Sequence, residues 1–330
     1  MSKIVAYGEI MLRLSPSELN TIEDSNFFNG FYGGTESNVL VALSHLGNKT
    51  SFLSKVPQNS LGEGVKRHLL RHNVGIDYLL FGGSTLGLYF MEQGFGSKPS
   101  KVIYHRKEAV INTLKEEDFD YDKVFKDASW FHVSGISLAI SENSKDVAIR
   151  LLKEAKKRNI KVSFDFNYRA SLWTVDKAKS AYKEIMQYVD VCFGNKFDLI
   201  NFLDLSDKNP IELLLNTYNV TYLFHTNREI INSSCHCLSA MGYYMENDKV
   251  KTICTEPEKF EVLDRIGGGD AFDAGIIHVL NNDFENVNDA LQLGAKCDIL
   301  KHLVKGDVLS LSNREINEWL VNQKKRDVIR

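Results

Sequence analysis

The sequence lacks the features that mark nucleic-acid-binding, membrane and secreted proteins. Its 330 residues carry 43 acidic and 40 basic side chains with no long basic cluster, so no electrostatic surface for nucleic acid or an anionic membrane is expected. No window holds the ~18 uninterrupted apolar residues of a membrane span, and the N-terminus has no signal-peptide apolar segment. We therefore expect a soluble, cytoplasmic protein with a small-molecule partner.

Disulfide and metal-binding patterns are also missing. The five cysteines are odd in number and scattered, which suits a reducing compartment better than a disulfide framework. Cys235 and Cys237 flank His236, but neighbouring residues of a strand point to opposite faces and no second pair of ligands follows. A structural metal is not expected there. The nine histidines form neither an H-E-x-x-H motif nor a Ser/His/Asp pattern.

Two common nucleotide-binding motifs are absent as well. The chain has no G-x-x-x-x-G-K-[ST], which excludes a P-loop kinase, and no G-x-G-x-x-G of a dinucleotide-binding fold. What is present is a run of three glycines, Gly267, Gly268 and Gly269, between a short apolar segment and a helix-forming segment. Consecutive glycines let backbone N–H groups approach an anion, and the following helix adds its unpaired N-terminal donors.

Asp270 follows these glycines in the first helical turn. The helix dipole would keep its carboxylate ionised, so that it could accept the proton of an attacking hydroxyl while the backbone amides neutralise a phosphate. The stretch therefore indicates phosphoryl transfer. The alternative is a tight turn that contains glycines only for their positive φ angles.

The rest of the chain predicts an α/β protein with a doubly wound, parallel sheet. An amphipathic helix at 36–46 separates strand-like segments at 3–8 and 50–56. Strands alternating with helices favour parallel pairing, and ligands of such sheets bind beyond the carboxyl ends of the strands. Further strands are predicted at 130–134, 161–166, 189–193, 222–226 and 258–263, and further helices at 144–158, 175–188, 270–280, 287–303 and 313–321.

Two insertions interrupt this alternation and predict a small β lid. Residues 11–32 are rich in polar and aromatic side chains, and residues 86–107 contain two strand-like runs joined by a glycine-containing loop. The second pattern is typical of a β-hairpin. The core domain would then comprise residues 1–10, 33–85 and 108–330.

Several polar side chains are placed to contact a ligand. Asn38 presents a donor and an acceptor suited to sugar hydroxyls, although a plain helix start is the alternative. On the hairpin, Tyr89, Tyr104 and Arg106 could converge on one ligand, or could be ordinary strand tyrosines and a solvated arginine. Arg169 follows the strand at 161–166, where an anion is expected.

Together these segments resemble the ribokinase-like (PfkB) carbohydrate kinases over nearly the whole chain. Residues 264–270 match the family's D-x-x-G-x-G-D signature, and residues 33–38 look like its G-G-x-x-x-N. The Y-x-R of residues 104–106 and the N-Y-R of residues 167–169 are similar to the 2-keto-3-deoxygluconate kinases within that family. The resemblance implies a doubly wound core with a small β lid, and ATP and Mg²⁺ as cofactors.

The resemblance also implies roles for individual residues. Asp270 would be the catalytic base, and Gly267, Gly268 and Gly269 would form the anion hole. Substrate contacts would come from Gly34, Asn38, Tyr89, Tyr104, Arg106, Arg169 and Asp307. ATP contacts would come from Asn167, Thr226, Arg228, Gly267 and Gly269.

The sequence departs from the family pattern at two places. The family's N-x-x-E is N-x-x-D here, so the shorter carboxylate of Asp198 would meet the metal through a Mg²⁺-bound water. Arg228 lies where ribokinases carry a glycine-bearing phosphate segment, and would reach the phosphates instead. Asp273, one turn after Asp270, is expected to be a solvated or capping acid.

Two arginines near the acceptor favour a sugar acid, because a guanidinium binds a carboxylate through two parallel hydrogen bonds. The resemblance thus implies phosphorylation of the 6-hydroxyl group of 2-keto-3-deoxygluconate. The alternative is a fructokinase- or ribokinase-type kinase of a neutral sugar, which is favoured if the arginines face away from the pocket.

A Rossmann-type oxidoreductase is disfavoured by the missing G-x-G-x-x-G motif, and a catalytically silent sugar-binding regulator is disfavoured by the intact Asp270. The oligomeric state stays open, with pairing of lid strands as the family's route to a homo-oligomer.

Overall fold

The computed structural model describes residues 2–17 and 19–322. Residues 1, 18 and 323–330, which the predicted domain bounds include, lie outside the described part. Within it the chain forms two sheets, one of ten strands and one of four. Among the described helices, none has both the length and the apolar character needed to cross a membrane.

The elements alternate along the chain much as the sequence pattern predicts. The strands are β1 (Lys3–Tyr7), β2 (Met11–Pro16), β3 (Phe28–Gly33), β4 (Lys49–Val56), β5 (Gly75–Phe81), β6 (Leu88–Glu92), β7 (Lys101–His105), β8 (Ala128–Ser134), β9 (Lys161–Asp165), β10 (Val191–Phe193), β11 (Tyr222–Asn232), β12 (Cys235–Glu246), β13 (Lys249–Cys254) and β14 (Glu258–Glu261). The helices are α1 (Thr35–His45), α2 (Ser60–Arg71), α3 (Tyr121–Phe125), α4 (Gly135–Ala139), α5 (Glu142–Lys157), α6 (Val175–Ile185), α7 (Lys196–Leu203), α8 (Pro210–Tyr218), α9 (Gly268–Asn282), α10 (Val287–His302) and α11 (Asn313–Asn322).

The large sheet has the order β13-β12-β11-β10-β9-β8-β1-β4-β5, and β14 pairs with β12. From β5 to β11 every neighbouring pair is parallel, which confirms the predicted mostly parallel α/β sheet. Strands β12 to β14 add an antiparallel extension at one edge. Strand β11 continues to Asn232, beyond the predicted end at residue 226. The added residues are exposed and look like a loop in the sequence, but hydrogen bonding to β12 makes them a strand.

Helices cover both faces of this sheet, so its central strands are buried on both sides. Strand β1 shows the alternation directly, since Ile4 and Ala6 join the apolar cluster on one face and Val5 and Tyr7 join the other. Helices α1, α9 and α10 contribute to the first cluster, and α5 and α6 to the second. Because both faces of the sheet are covered, a ligand is expected to bind at the ends of the strands and at the connecting loops.

The small sheet unites strands from the two predicted insertions in the order β3-β2-β6-β7. The hairpin strands pair Tyr89 with Tyr104 and Met91 with Val102, so these side chains share one face, as the alternation predicts. Residues 86, 87, 106 and 107 lie outside the strands that were predicted to include them. Tyr89 and Met91 pack with Met11 of β2 into a separate small apolar cluster.

Candidate active site

A pocket of about 350 Å³ lies where the carboxyl ends of the central strands meet the small sheet. This volume is within the range of small-molecule sites. The structure brings together all the site residues predicted from sequence except Asp198, and their individual roles remain predictions. The predicted residues that line the pocket are Gly34, Asn38, Tyr89, Tyr104, Arg106, Asn167, Arg169, Thr226, Arg228, Gly267, Gly268, Gly269, Asp270 and Asp307.

The three glycines of the loop differ in what surrounds them. Gly267 has a φ of 84°, in the left-handed region, and a Cβ there would overlap the carbonyl oxygen of Asp307. A Cβ on Gly268 would overlap the side chain of His302. Gly269 is exposed and lines the pocket, and outside its chain neighbours and the backbone of α9 no atom of the described residues lies within 4 Å of the place a Cβ would take. Packing therefore explains the first two glycines, whereas the third leaves open space where a ligand can approach the backbone.

Helix α9 begins at Gly268, directly after the left-handed turn at Gly267. The first helical hydrogen bond runs from the N–H group of Ala271 to the carbonyl oxygen of Gly267. The N–H groups of the preceding residues therefore have no partner inside the helix and are free to bind an anion. The loop has the geometry that its sequence predicts.

Asp270 lies at the pocket wall in the first turn of α9. The Nδ2 group of Asn38 donates a hydrogen bond of 2.7 Å to its Oδ2 atom, and the Oδ1 atom of Asn38 in turn accepts one from the N–H group of Gly34. Burial raises the pKa of Asp270 to about 7, and Glu36 adds to the rise while the Asn38 hydrogen bond opposes it. A carboxylate with this pKa is suited to general base catalysis at neutral pH.

Four acidic residues that line the pocket were not predicted as site residues, and they are Glu9, Glu36, Asp165 and Asp298. Glu36 is buried, and its Oε1 atom accepts hydrogen bonds from the backbone and hydroxyl of Ser134 and from the hydroxyl of Ser137. Glu9 follows β1 and forms an ion pair with Arg106. The position of Glu9 beyond the carboxyl end of a strand was the signal that could have identified it.

The two predicted substrate arginines have different surroundings. Arg106 has a side chain that is only 9% exposed and forms an ion pair with Glu9, so it is not a solvated arginine, and its contact with the substrate stays a prediction. Arg169 is exposed and donates a hydrogen bond of 3.2 Å to the carbonyl of Tyr168. Within the described residues it forms no ion pair with a carboxylate. Arg169 is thus the better placed of the two to bind an anion.

Tyr89 and Asp307, both predicted substrate contacts, are bonded to each other. The Tyr89 hydroxyl donates to Oδ2 of Asp307, and Oδ1 of Asp307 accepts a 2.7 Å hydrogen bond from Arg13 of β2. Arg13 also pairs with Asp264, the first residue of the glycine-loop motif. Asp307 is therefore a structural link between the small sheet and the loop, and its contact with the substrate stays a prediction. Sequence reasoning missed Arg13, which is buried between the half-buried Leu12 and Leu14 of β2.

The opposite end of the pocket carries Thr226, Arg228 and Arg265. Burial lowers the pKa of Arg265, and the nearby charge of Arg228 lowers it further. Among the residues that the structure describes, neither arginine forms an ion pair with a carboxylate. Two neighbouring cations without a protein partner favour a polyanionic ligand here. Arg265 was missed although it lies inside the recognised motif.

Asn167 and Asp165 form a compact unit at the end of β9. Asn167 has a φ of 36°, and its backbone N–H and side-chain Nδ2 donate to the two carboxylate oxygens of Asp165 at 3.1 and 2.9 Å. Burial raises the pKa of Asp165 to about 8, with Asp270 and Asp198 adding to the rise. A cation bound near Asp165 would reduce the repulsion among Asp165, Asp270 and Asp198.

Asp198 does not line the pocket. Its Oδ2 atom accepts a 2.8 Å hydrogen bond from the N–H group of Asn195 and so caps helix α7. Asp273 is only 3% exposed, so the expectation of a solvated acid is wrong; burial raises its pKa well above the ordinary value. In the described ranges no group of three or more His, Cys, Asp or Glu side chains has the geometry to hold a metal.

Comparison with known proteins gives consistent matches over almost the whole chain. The sequence model of the pfkB family carbohydrate kinases matches residues 1–312. The 2-dehydro-3-deoxygalactonokinase of Haloferax volcanii is 31% identical over 320 residues, which are 97% of this chain and 96% of that protein. The solved 2-dehydro-3-deoxygluconokinase of Thermotoga maritima has a TM-score of 0.89 at 34% identity, covering 96% of this chain and 97% of that one. A solved PfkB family carbohydrate kinase from Listeria grayi has a TM-score of 0.92 at 29% identity, covering 97% and 99%.

Proposed function

The chain belongs to the pfkB family of carbohydrate kinases, and on that basis we propose that it transfers the γ-phosphoryl group of ATP to the 6-hydroxyl group of 2-keto-3-deoxygluconate. It is a phosphotransferase with an alcohol group as acceptor. The observation that carries the proposal is Asp270, whose pKa is raised to about 7, beside a glycine loop with free N–H groups. The relatives named for 2-dehydro-3-deoxy sugar acids support the substrate class, and the galactonate epimer is the second candidate because one relative bears its name.

In the proposed reaction Asp270 accepts the proton of the 6-hydroxyl group. The hydroxyl oxygen forms a bond to the γ-phosphorus, the bond to the β–γ bridging oxygen breaks, and ADP leaves. Asn38 holds the Asp270 carboxylate in place, and the N–H groups at the start of α9 stabilise the charge on the transferred group. The chain thus supplies positioning and electrostatic stabilisation, which are the main requirements of phosphoryl transfer.

The phosphates of ATP would lie between the glycine loop and the arginine pair, Arg228 and Arg265. This placement is supported by the two cations, which form no ion pair in the part of the chain that the structure describes. Thr226 on β11 and Asn167 after β9 line the same end of the pocket and would contact the nucleotide. Gly269 leaves the space through which a phosphate reaches the backbone.

Asp165 would hold Mg²⁺, with Asp198 contributing through a Mg²⁺-bound water. Burial and the nearby charges of Asp270 and Asp198 raise the pKa of Asp165 to about 8, and a cation would reduce that repulsion. Kinase Mg²⁺ is usually held by one or two carboxylates, waters and substrate phosphates, so the described residues need not form a complete protein cage. When bound, Mg²⁺ would neutralise part of the phosphate charge.

The choice between a sugar acid and a neutral sugar depends on Arg169. Arg106 is paired with Glu9, and such a neutral pair would suit a fructokinase- or ribokinase-type enzyme as well. Arg106 therefore leaves the neutral-sugar alternative open. Arg169, in contrast, is exposed at the pocket without such a partner, so it can bind a substrate carboxylate through two parallel hydrogen bonds.

Replacing Arg169 with Leu should lower kcat/KM for 2-keto-3-deoxygluconate by about 10–150-fold, the equivalent of losing a charge-assisted hydrogen bond of roughly 1.5–3 kcal/mol. An analogue with its carboxylate reduced to an alcohol has no charge to lose, so its kcat/KM should change much less. The ratio of kcat/KM for the two substrates, measured in wild type and variant, is the decisive quantity.

Arg106→Leu is the matched control for this ratio. It leaves Glu9 buried without its partner, which should impair both substrates alike. If only Arg106→Leu changes the ratio, the carboxylate contact belongs to Arg106. If neither variant changes it, the sugar-acid assignment fails and the neutral-sugar alternative takes its place.

We further propose that the small sheet acts as a lid over the sugar. The loop between β6 and β7 makes four hydrogen bonds with residues 233, 234 and 263, among them one of 3.0 Å from the N–H group of Gly96 to the hydroxyl of Ser234. A lid would have to break these bonds to open. Sugar acid at 100 times its Kd should slow amide exchange in β6 and β7 by up to about 100-fold. Strand β13, at the edge of the large sheet, serves as the control and should respond little. Equal exchange in the hairpin with and without ligand would count against a lid.

A further inference from the structure

A fully buried lysine lies behind the glycine loop. Lys301, in the last turn of α10, has 0% of its surface exposed. Its Nζ atom donates hydrogen bonds to the backbone carbonyl oxygens of Asp264, at 3.1 Å, and Val304, at 3.4 Å. Lysine is almost never fully buried unless it is paired, so its place in the core needs an explanation.

The contacts of Lys301 join the two chain segments that enclose the glycine loop. Asp264 is the first residue of the loop motif, and Val304 begins the turn that leads to Asp307. The carbonyl oxygen of Asp307 packs directly on Gly267, and the Cε atom of Lys301 lies 3.4 Å from where a Cβ on Gly267 would be. The ammonium group therefore lies beneath the residue at which the chain turns into α9.

Lys301 belongs to a buried group of charges. Arg13 is the other positive charge of the group, and Asp264, Asp307 and Asp270 are the negative ones. Burial lowers the pKa of Lys301, while the charges of Asp264, Asp307 and Asp270 act in the opposite direction. Loss of the ammonium group would increase the negative charge beneath a loop that has to bind an anion, which would weaken that binding.

The oxygen atoms around the ammonium group have the chemistry of a cation site. The two atoms that accept hydrogen bonds from Nζ are backbone carbonyl oxygens, which are among the ligands that hard metal cations prefer. We propose that the Lys301 ammonium group is a built-in cation that holds the glycine loop in its anion-binding conformation, so that the enzyme needs no monovalent metal ion there. Lys301 is a positioning residue, since it does not line the pocket. The kinetic part of this proposal rests on the proposed kinase reaction.

Two variants test the proposal. Lys301→Ala removes the side chain and leaves an oxygen-lined cavity, whereas Lys301→Met removes the charge but keeps the cavity filled. Both should lower kcat by up to about 10²-fold, because displacement of a catalytic loop by about 1 Å has effects of this size. Ammonium or potassium chloride should restore part of the kcat of the alanine variant. Tetramethylammonium chloride, at equal ionic strength, is too large for the cavity and should not.

Thermal unfolding supplies a measurement that requires no substrate. Ammonium or potassium should raise the Tm of Lys301→Ala relative to tetramethylammonium, because a cation that binds only the folded state stabilises it. The Tm of the wild type and of Lys301→Met should not depend on which cation is present. If the wild type phosphorylates no sugar acid, the proposed function fails, yet these Tm values still decide the role of Lys301.

Three results would overturn the built-in cation. The first is a wild-type kcat or Tm that depends on potassium at constant ionic strength. The second is a Lys301→Met variant with the kcat of the wild type. The third is a Lys301→Ala variant that responds to no small cation, which would reduce Lys301 to a packing role. If the alanine variant does not fold, two other measurements still test the proposal. They are the dependence of the wild-type kcat and Tm on potassium, and the kcat of Lys301→Met.

Discussion

Replacing Asp270 with Asn is expected to lower kcat by about 10²–10⁴-fold, the usual contribution of a positioned acid–base group. The asparagine keeps the size of the side chain and can still contact Asn38, but it cannot accept the proton of the attacking hydroxyl. Dissociation constants for ATP and the sugar acid should therefore change only a few-fold. Single-turnover rates and equilibrium binding, measured on the same variant, separate the two effects.

Asp273→Asn is the matched control for this prediction. Asp273 lies one turn further along α9 and is buried, and its pKa is raised well above the ordinary value, so asparagine imitates its protonated form. Its kcat should stay within a few-fold of the wild type. A kcat near the wild-type value in Asp270→Asn would remove Asp270 from the mechanism.

The pH dependence of kcat/KM gives a second test of Asp270. Burial raises its pKa to about 7, and only the deprotonated carboxylate can act as a base. Below pH 7 the reactive fraction falls about tenfold for each pH unit, so kcat/KM should fall with that slope and level off above pH 7. A profile that is flat from pH 5 to pH 8 would contradict this role.

Replacing Gly269 with Ala is expected to lower kcat by about 10²–10³-fold, the effect of losing one donor of an anion hole. Outside the chain neighbours and the backbone of α9, no atom in the described part of the chain lies within 4 Å of the added methyl group, so the free protein has room for it and its Tm should hardly change. The methyl group would instead occupy the space in which the transferred phosphoryl group approaches the backbone. Measurements of kcat and of Tm on Gly269→Ala test the expected loss of activity and the expected unchanged stability.

Two other glycine variants serve as comparisons. Gly267→Ala should lower both Tm and kcat, because the residue has a positive φ and its methyl group would overlap the Asp307 carbonyl oxygen. Gly47→Ala has a positive φ of 95° in open space away from the pocket, so it should lower Tm alone. Wild-type kcat in Gly269→Ala would show that the loop does not bind the reacting group.

Much of the fold could be predicted because local patterns and tertiary structure agree. The helical spacing of Val39, Leu40 and Leu43 indicates a helix, and these side chains do lie in the core. The prediction of one buried face was wrong, because all residues from 36 to 43 of α1 are buried. The exposed part of β11 after Thr226 could not be predicted, since its hydrogen-bond partner β12 is revealed only by the folded chain. Helix boundaries differ by a residue or two, as at α1, which begins at Thr35.

Most residues that line the pocket could be predicted from the sequence, but the ion pairs that their side chains form with other residues could not. Motif residues such as Gly34 and Asp270 were identified because the segments that contain them resemble motifs of the family. Arg106 and Arg169 look alike in the sequence, and only the structure shows that Glu9, 97 positions before Arg106, neutralises one of them. The same limit hid Arg13 and Lys301, because a buried charge is recognised only when its distant partners are known.

The most direct test of the central claim is a substrate comparison with the wild-type enzyme and Mg²⁺·ATP, in which ADP release is measured with 2-keto-3-deoxygluconate, 2-keto-3-deoxygalactonate, fructose, ribose and adenosine. Arg169 should make kcat/KM for at least one of the two sugar acids about 10-fold or more higher than for any neutral substrate. A higher kcat/KM for fructose or ribose than for both sugar acids would contradict the assignment.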